Sequence, residues 1–286
     1  MPIDAAKAIA AEPGSTEITW DHKDVQLYHL GIGAGVPATD PGELRYTLES
    51  RLHVLPSFAT VAGGGMALAA GLSAPGVDVD LAAVLHGAQT VELHRPIPVH
   101  GKATQTSRVA AVHDKGAGKA AVIVLRSTTA DADGPLWTCD TRIFVKGEGG
   151  FGGERGATER LPPPGREPDR TELRAVREDQ ALLYRLSGDW NPLHADPGFA
   201  ALAGYDRPIL HGLCSYGMVL KAVVDTLLDG EVARVRSYTA RFAGVVFPGE
   251  TLRIRMWRES GRVRAAVTAV EREDAPVLSD TLVEHD

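Results

Sequence analysis

Residues 212–228, GLCSYGMVLKAVVDTLL, decide the fold. Leu213, Tyr216, Gly217, Leu220, Val223, Val224 and Leu227 recur at helical spacing and predict one apolar face. Gly230 lies where a helix end favours a residue without a side chain. The texture then changes. VRSYTARFAGVV (235–246), TLRIRMWRES (251–260), RVRAAVTAVERE (262–273) and PVLSDTLVEH (276–285) alternate and are rich in β-branched residues, as strands are. Pro248-Gly249 and Ser260-Gly261 supply turns between them. A helix with an apolar stripe beside such strands is satisfied when an antiparallel sheet wraps around it.

The same order occurs earlier in the chain. Leu55 to Leu72, LPSFATVAGGGMALAAGL, reads as a buried helix entered at Pro56, its small residues suited to close packing on a sheet. The glycines 63 to 65 are costly inside a helix unless it is gripped that closely. AQTVELHRPIP (88–98), KATQTSRVAAVHD (102–114), KAAVIVLRSTTA (119–130) and WTCDTRIFVKG (137–147) then read as strands. Two matches tie the halves together. Leu27-Tyr28-x-Leu30 corresponds to Leu183-Tyr184-x-Leu186, and Asp40-Pro41-Gly42 to Asp196-Pro197-Gly198, both at an offset of 156 residues. A shared offset points to an internal duplication. The expected division is a first copy over 1–146, a Gly/Pro-rich charged linker over 147–168, and a second copy over 169–286. The first fifteen residues read as a loose lead-in; the second copy opens at Thr171, and REDQALLYRLSG (177–188) within it reads as a short helix ending near Gly188. Two halves side by side could join edge strands into one larger sheet.

The duplication also separates chemistry from frame. In the second copy, Tyr184 to Gly212 reads YRLSGDWNPLHADPGFAALAGYDRPILHG, with Asp189 and His194 five positions apart. Their counterparts in the first copy are Gly33 and Ala38, and Asn191 falls opposite Gly35. Only the second copy keeps groups that can hold a proton. An isolated Asp and His would read as a turn residue and a packed histidine. Gly188 leaves Asp189 uncrowded, Pro192 stiffens the loop, and Asn191 offers an amide to orient either partner. Stiff placement is what general acid–base catalysis requires. His211-Gly212 opens the long helix, whose first N–H groups lack internal partners. With no side chain at Gly212, a carbonyl oxygen could approach that N–H as a developing oxyanion. Gly31-x-Gly33-x-Gly35 is no phosphate loop: no strand precedes it and the third glycine of a dinucleotide fingerprint is misplaced.

Composition narrows the classes. The chain has 286 residues, 44% of them apolar and 23% charged, so it can bury a sizeable core. A net charge of −7 gives no broad basic surface for nucleic acid. Cys139 and Cys214 form neither a disulfide framework nor a zinc-ligand pattern, so no metal is expected. No apolar run is long enough to span a bilayer. The N-terminal residues lack a signal-peptide pattern, and the expected location is cytoplasmic.

The pattern Y-x-L-S-G-D-x-N-P-L-H-x-D-P at 184–197 resembles the signature of the hydratase 2, or MaoC-like dehydratase, family. The resemblance extends through His211-Gly212-Leu213-Cys214, Phe247 to Thr251, Leu85-His86-Gly87 and Asp114-Lys115-Gly116, covering nearly the whole chain. It is similar in particular to the two-domain (R)-specific 2-enoyl-CoA hydratases. The resemblance implies an α+β double hot-dog fold, two copies of a long helix wrapped by an antiparallel sheet. It implies reversible syn hydration of a trans-2-enoyl-CoA to a (3R)-3-hydroxyacyl-CoA. Asp189 and His194 take the family's acid/base positions, Asn191 the orienting position and Gly212 the oxyanion position. His86, Gly87, Lys115 and Phe242 fall where the family contacts the CoA thioester, and Trp190, Pro192 and Leu193 stand within the substrate-facing motif. No cofactor is implied beyond the coenzyme A of the substrate, no membrane partner is expected, and a homodimer fits. Two alternatives share the same residues: a dehydratase acting on acyl-carrier-protein thioesters, and a non-catalytic acyl-thioester-binding subunit.

Overall fold

A computed structural model describes residues 3–64, 72–80, 83–157 and 160–286. The strands are β1 (Gly14–Trp20), β2 (Val84–Leu93), β3 (Gly101–Asp114), β4 (Ala121–Asp131), β5 (Gly134–Val145), β6 (Arg170–Ala175), β7 (Val235–Phe242), β8 (Thr251–Glu259), β9 (Arg262–Ala269) and β10 (Ala275–His285). They form one sheet in the order β1-β3-β4-β5-β2-β7-β10-β9-β8-β6. The order reads the same from either end once each strand of the first five is exchanged for its counterpart in the last five. This is the duplication expressed as topology. The halves join at β2 and β7, where Ala88 to Glu92 lie antiparallel to Arg241 to Ser237. Pairing two edges into each other leaves fewer unpaired backbone groups exposed.

The helices are α1 (Ala5–Ala10), α2 (His22–Gly31), α3 (Pro41–Thr47), α4 (Gln180–Tyr184), α5 (Pro197–Leu202) and α6 (Gly212–Leu227). The repeated Asp-Pro-Gly triplets are both helix starts. Asp40 accepts the N–H groups of Gly42 and Glu43 at the head of α3, and Asp196 those of Gly198 and Phe199 at the head of α5. Each offers a side-chain oxygen to N–H groups the helix leaves unpaired. The repeated tyrosines, Tyr28 and Tyr184, face one another with ring centroids 6.1 Å apart.

Helix α6 is the axis of the molecule. Every residue from Cys214 to Val224 is buried, together with Leu227. A single apolar face was expected. The difference arises because the sheet covers one side of α6 and the first copy covers the other. Gly217 makes that second contact possible: a Cβ there would lie 2.5 Å from Tyr28 Oη. Tyr216 and Tyr238 exchange hydroxyl-to-carbonyl hydrogen bonds of 2.7 and 3.0 Å, tying α6 to β7 without an unpaired buried group at either phenol. Each fully buried Leu or Val contributes about 1.5–3 kcal/mol, so tertiary burial holds this helix. Lys221 is buried too. Its Nζ lies 2.7 Å from Glu43 Oε1 and 2.8 Å from Asp225 Oδ2, an ion cluster that spans the two copies.

Three expectations need correction. The lead-in is ordered: Asp4 caps α1, and β1 begins at Gly14 and pairs along β3. The second copy opens on strand β6, which was not expected, and the short helix ending near Gly188 follows it as α4 and its 3-10 turn. Both missed strands are sheet edges, short and weakly patterned. In the region expected as a helix over 55–72, Pro56–Thr60 is a 3-10 turn, and residues 65–71 lie outside the described set.

Candidate active site

The loop that carries Asp189 and His194 is built by local chain chemistry. Helix α4 runs into a 3-10 turn at Arg185–Ser187 and is stopped by Gly188, with φ at +122°. A Cβ at Gly188 would lie 2.4 Å from the carbonyl oxygen of Gly64, so the loop is pressed backbone-to-backbone on the first copy. Asp189 follows with an exposed side chain. Its Oδ1 accepts the backbone N–H of Asn191 at 3.2 Å. The side chain of Asn191 is committed elsewhere: Oδ1 accepts Leu193 N–H at 3.0 Å and caps the 3-10 turn Pro192–His194. Asn191 therefore orients the loop by its backbone N–H to Asp189 and by capping through Oδ1. Pro192 occupies the first position of that turn, where its missing N–H costs nothing.

His194 is buried, and its Nδ1 lies 2.8 Å from the carbonyl oxygen of Ile209. A carbonyl only accepts, so Nδ1 carries the hydrogen and Nε2 of the neutral ring carries none. Burial holds the His194 pKa below its ordinary value, against the opposing effects of the Ile209 carbonyl and of Asp189. The ring is therefore neutral at neutral pH, with a bare nitrogen available as a base.

His211 is the component the sequence reading passed over. It was read only as the residue ahead of a helix. Its ring lies on His194, centroids 3.7 Å apart and planes 31° off parallel. Its Nε2 lies 3.2 Å from the backbone oxygen of Asp189. Burial and the neighbouring His194 push its pKa down to about 2. Asp189, His194 and His211 each bring a nitrogen or carboxylate oxygen within 4.8 Å of the others. The local signal was present in the sequence: a histidine directly before a glycine-initiated helix, with no Ser, Thr, Asp or Asn to cap it.

Gly212 is the first residue of α6, and its helix start has no side-chain cap. The Gly212 N–H has no partner within the helix. Phe242 closes over it, with ring carbons 2.9 and 3.0 Å from where a Cβ would stand. His86 packs on the other side of Phe242, ring centroids 4.6 Å apart. Burial pushes the His86 pKa down to about 4, and its Nε2 is buried without a hydrogen-bond partner among the described residues. The β2–β7 pairing is what carries His86 of the first copy to the helix start of the second.

The remaining sequence candidates separate. Gly87 is buried under Phe144, whose ring carbon would lie 2.1 Å from an added Cβ, and it sits at a β2–β5 register shift. Packing against Phe144 is enough to require its small size. Lys115 donates to the carbonyl oxygen of Arg155 at 2.6 Å, so its recorded partner is the segment after β5. Trp190 is 57% exposed and stacks with Arg185, whose guanidinium carbon lies 4.8 Å from the ring centroid. Leu193 is half-buried beside His194.

Comparison with known proteins places this arrangement among others. The MaoC like domain matches residues 159–276, and the MFE-2 hydratase 2 N-terminal domain matches residues 18–147. The chain is 47% identical over 281 residues to enoyl-CoA hydratase ChsH3 of Mycobacterium tuberculosis, covering 98% of each protein. It is 42% identical to 3-hydroxyacyl-thioester dehydratase Y of the same organism, covering 91% of each. Among solved structures it superposes on a MaoC-like dehydratase from Phytophthora capsici with a TM-score of 0.88 at 29% identity, covering 99% of this chain and 98% of that one.

Proposed function

Since the chain belongs to the MaoC-like dehydratase family and carries the hydratase 2 N-terminal domain ahead of it, we propose that it is an (R)-specific 2-enoyl-CoA hydratase. It adds water reversibly to a trans-2-enoyl-CoA to give the (3R)-3-hydroxyacyl-CoA. The observation that carries this reading is the bare Nε2 of His194, set beside the Asp189 carboxylate by the Nδ1–H bond to Ile209.

Asp189 and His194 hold one water over the conjugated double bond. As the water oxygen bonds the β-carbon, Nε2 takes its proton, and the Asp189 carboxylate stabilises the imidazolium that forms. The electron pair of the double bond moves toward the thioester oxygen. That oxygen rests against the Gly212 N–H at the positive end of α6. The imidazolium then returns its proton to the α-carbon on the same face, which makes the addition syn. Atoms and charge balance with water, the thioester and these two side chains, so the proposed reaction calls for no cofactor, coenzyme A being part of the substrate. Phe242 and His86 wall the oxyanion side, and the first copy shapes the acyl pocket.

Among the described residues no helix is long and apolar enough to cross a membrane. Two buried free thiols, Cys139 and Cys214, support a reducing, cytoplasmic setting. Leu182, Leu186, Trp190, Phe199 and Leu202 are exposed on the segment around the catalytic loop, which supports a homodimer.

The test is hydration of a panel of trans-2-enoyl-CoAs, from short chain to steroid side chain, with product configuration assigned. Turnover to the (3R) product supports the reading. Tight binding without turnover, or the (3S) product, overturns it. Faster turnover of acyl-carrier-protein thioesters than of CoA thioesters would reassign the enzyme to the carrier-protein reaction.

A further inference from the structure

His211 stands outside the proton transfer described above, yet it touches every part of it. Its ring face lies 3.7 Å from that of His194. Its Nε2 is bonded to the Asp189 backbone oxygen, and a carbonyl only accepts, so Nε2 carries the hydrogen. Its own backbone leads directly into Gly212 as the cap residue of α6. Tyr184 packs behind it, ring centroids 4.9 Å apart, so the ring is wedged between the end of α4 and His194. Its Nδ1 is buried with no hydrogen-bond partner among the described residues. Leaving a buried acceptor unpaired costs about 1–3 kcal/mol. Phenylalanine would fill the same space without that cost, so packing alone does not account for a histidine here.

We propose that His211 is the positioning residue of the site: one side chain that fixes the Asp189 main chain through its Nε2–H, braces the face of His194, and sets both against the Gly212 N–H. The inference rests on the hydratase reading. Its mechanical content is specific. Asp189 lies in an exposed loop, and among the described residues the only other hydrogen bond to its side chain or carbonyl comes from the Asn191 N–H. Without the His211 N–H, the peptide that carries the carboxylate loses this tie to the start of α6.

The experiment compares His211→Phe, which keeps the ring and loses the donor, with His211→Gln, whose amide nitrogen reaches the position of Nε2. Steady-state hydration of an enoyl-CoA accepted by the wild type is measured beside thermal melting and binding of butyryl-CoA as an unreactive probe. Misplacing a reacting group by an ångström costs on the order of 10²-fold. The expected result for His211→Phe is therefore a fall in kcat of about 10- to 100-fold, with KM and butyryl-CoA affinity within about threefold. His211→Gln is expected to recover about tenfold of that loss. A merely structural residue would lower the melting temperature and leave the kcat of the folded fraction unchanged, and that result overturns the proposal. So does His211→Gln no better than His211→Phe, or a loss confined to KM. If His211→Phe does not fold, His211→Asn replaces it, because its shorter amide falls short of Asp189. Gln then has to exceed Asn in kcat for the proposal to stand. A wild type that hydrates no enoyl-CoA sinks the reading of the site and this inference together. An active wild type with an indifferent His211→Phe sinks the inference alone.

Discussion

Gly188→Ala tests whether the two copies jointly set the catalytic loop. Two costs are legible in the structure. The backbone has φ +122°, where a side chain is strained by about 1–3 kcal/mol. The new methyl would also lie 2.4 Å from Gly64 O, 2.5 Å from its carbonyl carbon and 2.8 Å from its Cα. All three are backbone atoms and cannot rotate away, so overpacking adds about 1–3 kcal/mol. The sum, about 2–6 kcal/mol, is a large share of the roughly 5–15 kcal/mol that holds a typical domain. At about 2–4 °C per kcal/mol it lowers the melting temperature by about 4–24 °C. The alternative to strain is movement. Restoring ordinary contact at about 3.4 Å from Gly64 O requires a shift of about 1 Å, and Asp189 is the next residue; a shift of that size costs about 10²-fold in turnover. Melting and kcat for enoyl-CoA hydration are read together, with Gly204→Ala as the control. Gly204 also has positive φ but an added Cβ there meets nothing within 4 Å, so it carries the conformational cost alone. A Gly188→Ala protein indistinguishable from Gly204→Ala in both melting and kcat would refute the reasoning.

Other outcomes follow from the same geometry. Asp189→Asn and His194→Ala should each lower kcat by at least ~10²-fold, with melting temperatures near the wild type; near-normal turnover in either would remove that residue from the proton transfer. Because burial lowers the His194 pKa, its neutral form persists below pH 6.5. A pH profile of kcat/KM should therefore stay flat from neutral pH to below 6.5 and fall only as pH drops through the folded-state pKa; an acid limb centred above 6.5 contradicts this. Lys221→Met removes the cation between Glu43 and Asp225 and should cost about 3–5 kcal/mol in chemical denaturation, since two carboxylates then face each other without it. A loss below about 1 kcal/mol would mean the cluster is effectively solvated.

Helix α6 and the strands after it were legible because burial on a sheet imposes periodicity on neighbouring residues. The 156-residue offset was legible because Asp40 and Asp196 do the same local job, capping a helix with a following Pro-Gly. The edge strands β1 and β6 were not, since an edge strand buries one face weakly and leaves little pattern to read. Asp189 and His194 could be chosen from sequence because loop chemistry between them is local: a glycine stop, a proline and a capping Asn within five residues. Gly87 and Lys115 could be named but not explained, because their neighbours, Phe144 and Arg155, lie far along the chain.

By itself, then, the sequence determined the duplicated frame, the copy that keeps the titratable groups, and the helix start that meets them. Each of these is written in short local patterns, which can be compared between the copies at their 156-residue offset without knowing the fold. The tertiary structure decided which nitrogen of His194 is bare, that His211 stacks on His194, and that His86 of one copy packs on Phe242, which covers Gly212 of the other. Those depend on the Ile209 carbonyl, on a ring stack across 17 residues and on the pairing of β2 with β7. Contacts of that kind are fixed only when the two copies close on a shared core, because no local periodicity encodes which distant atom a side chain will meet.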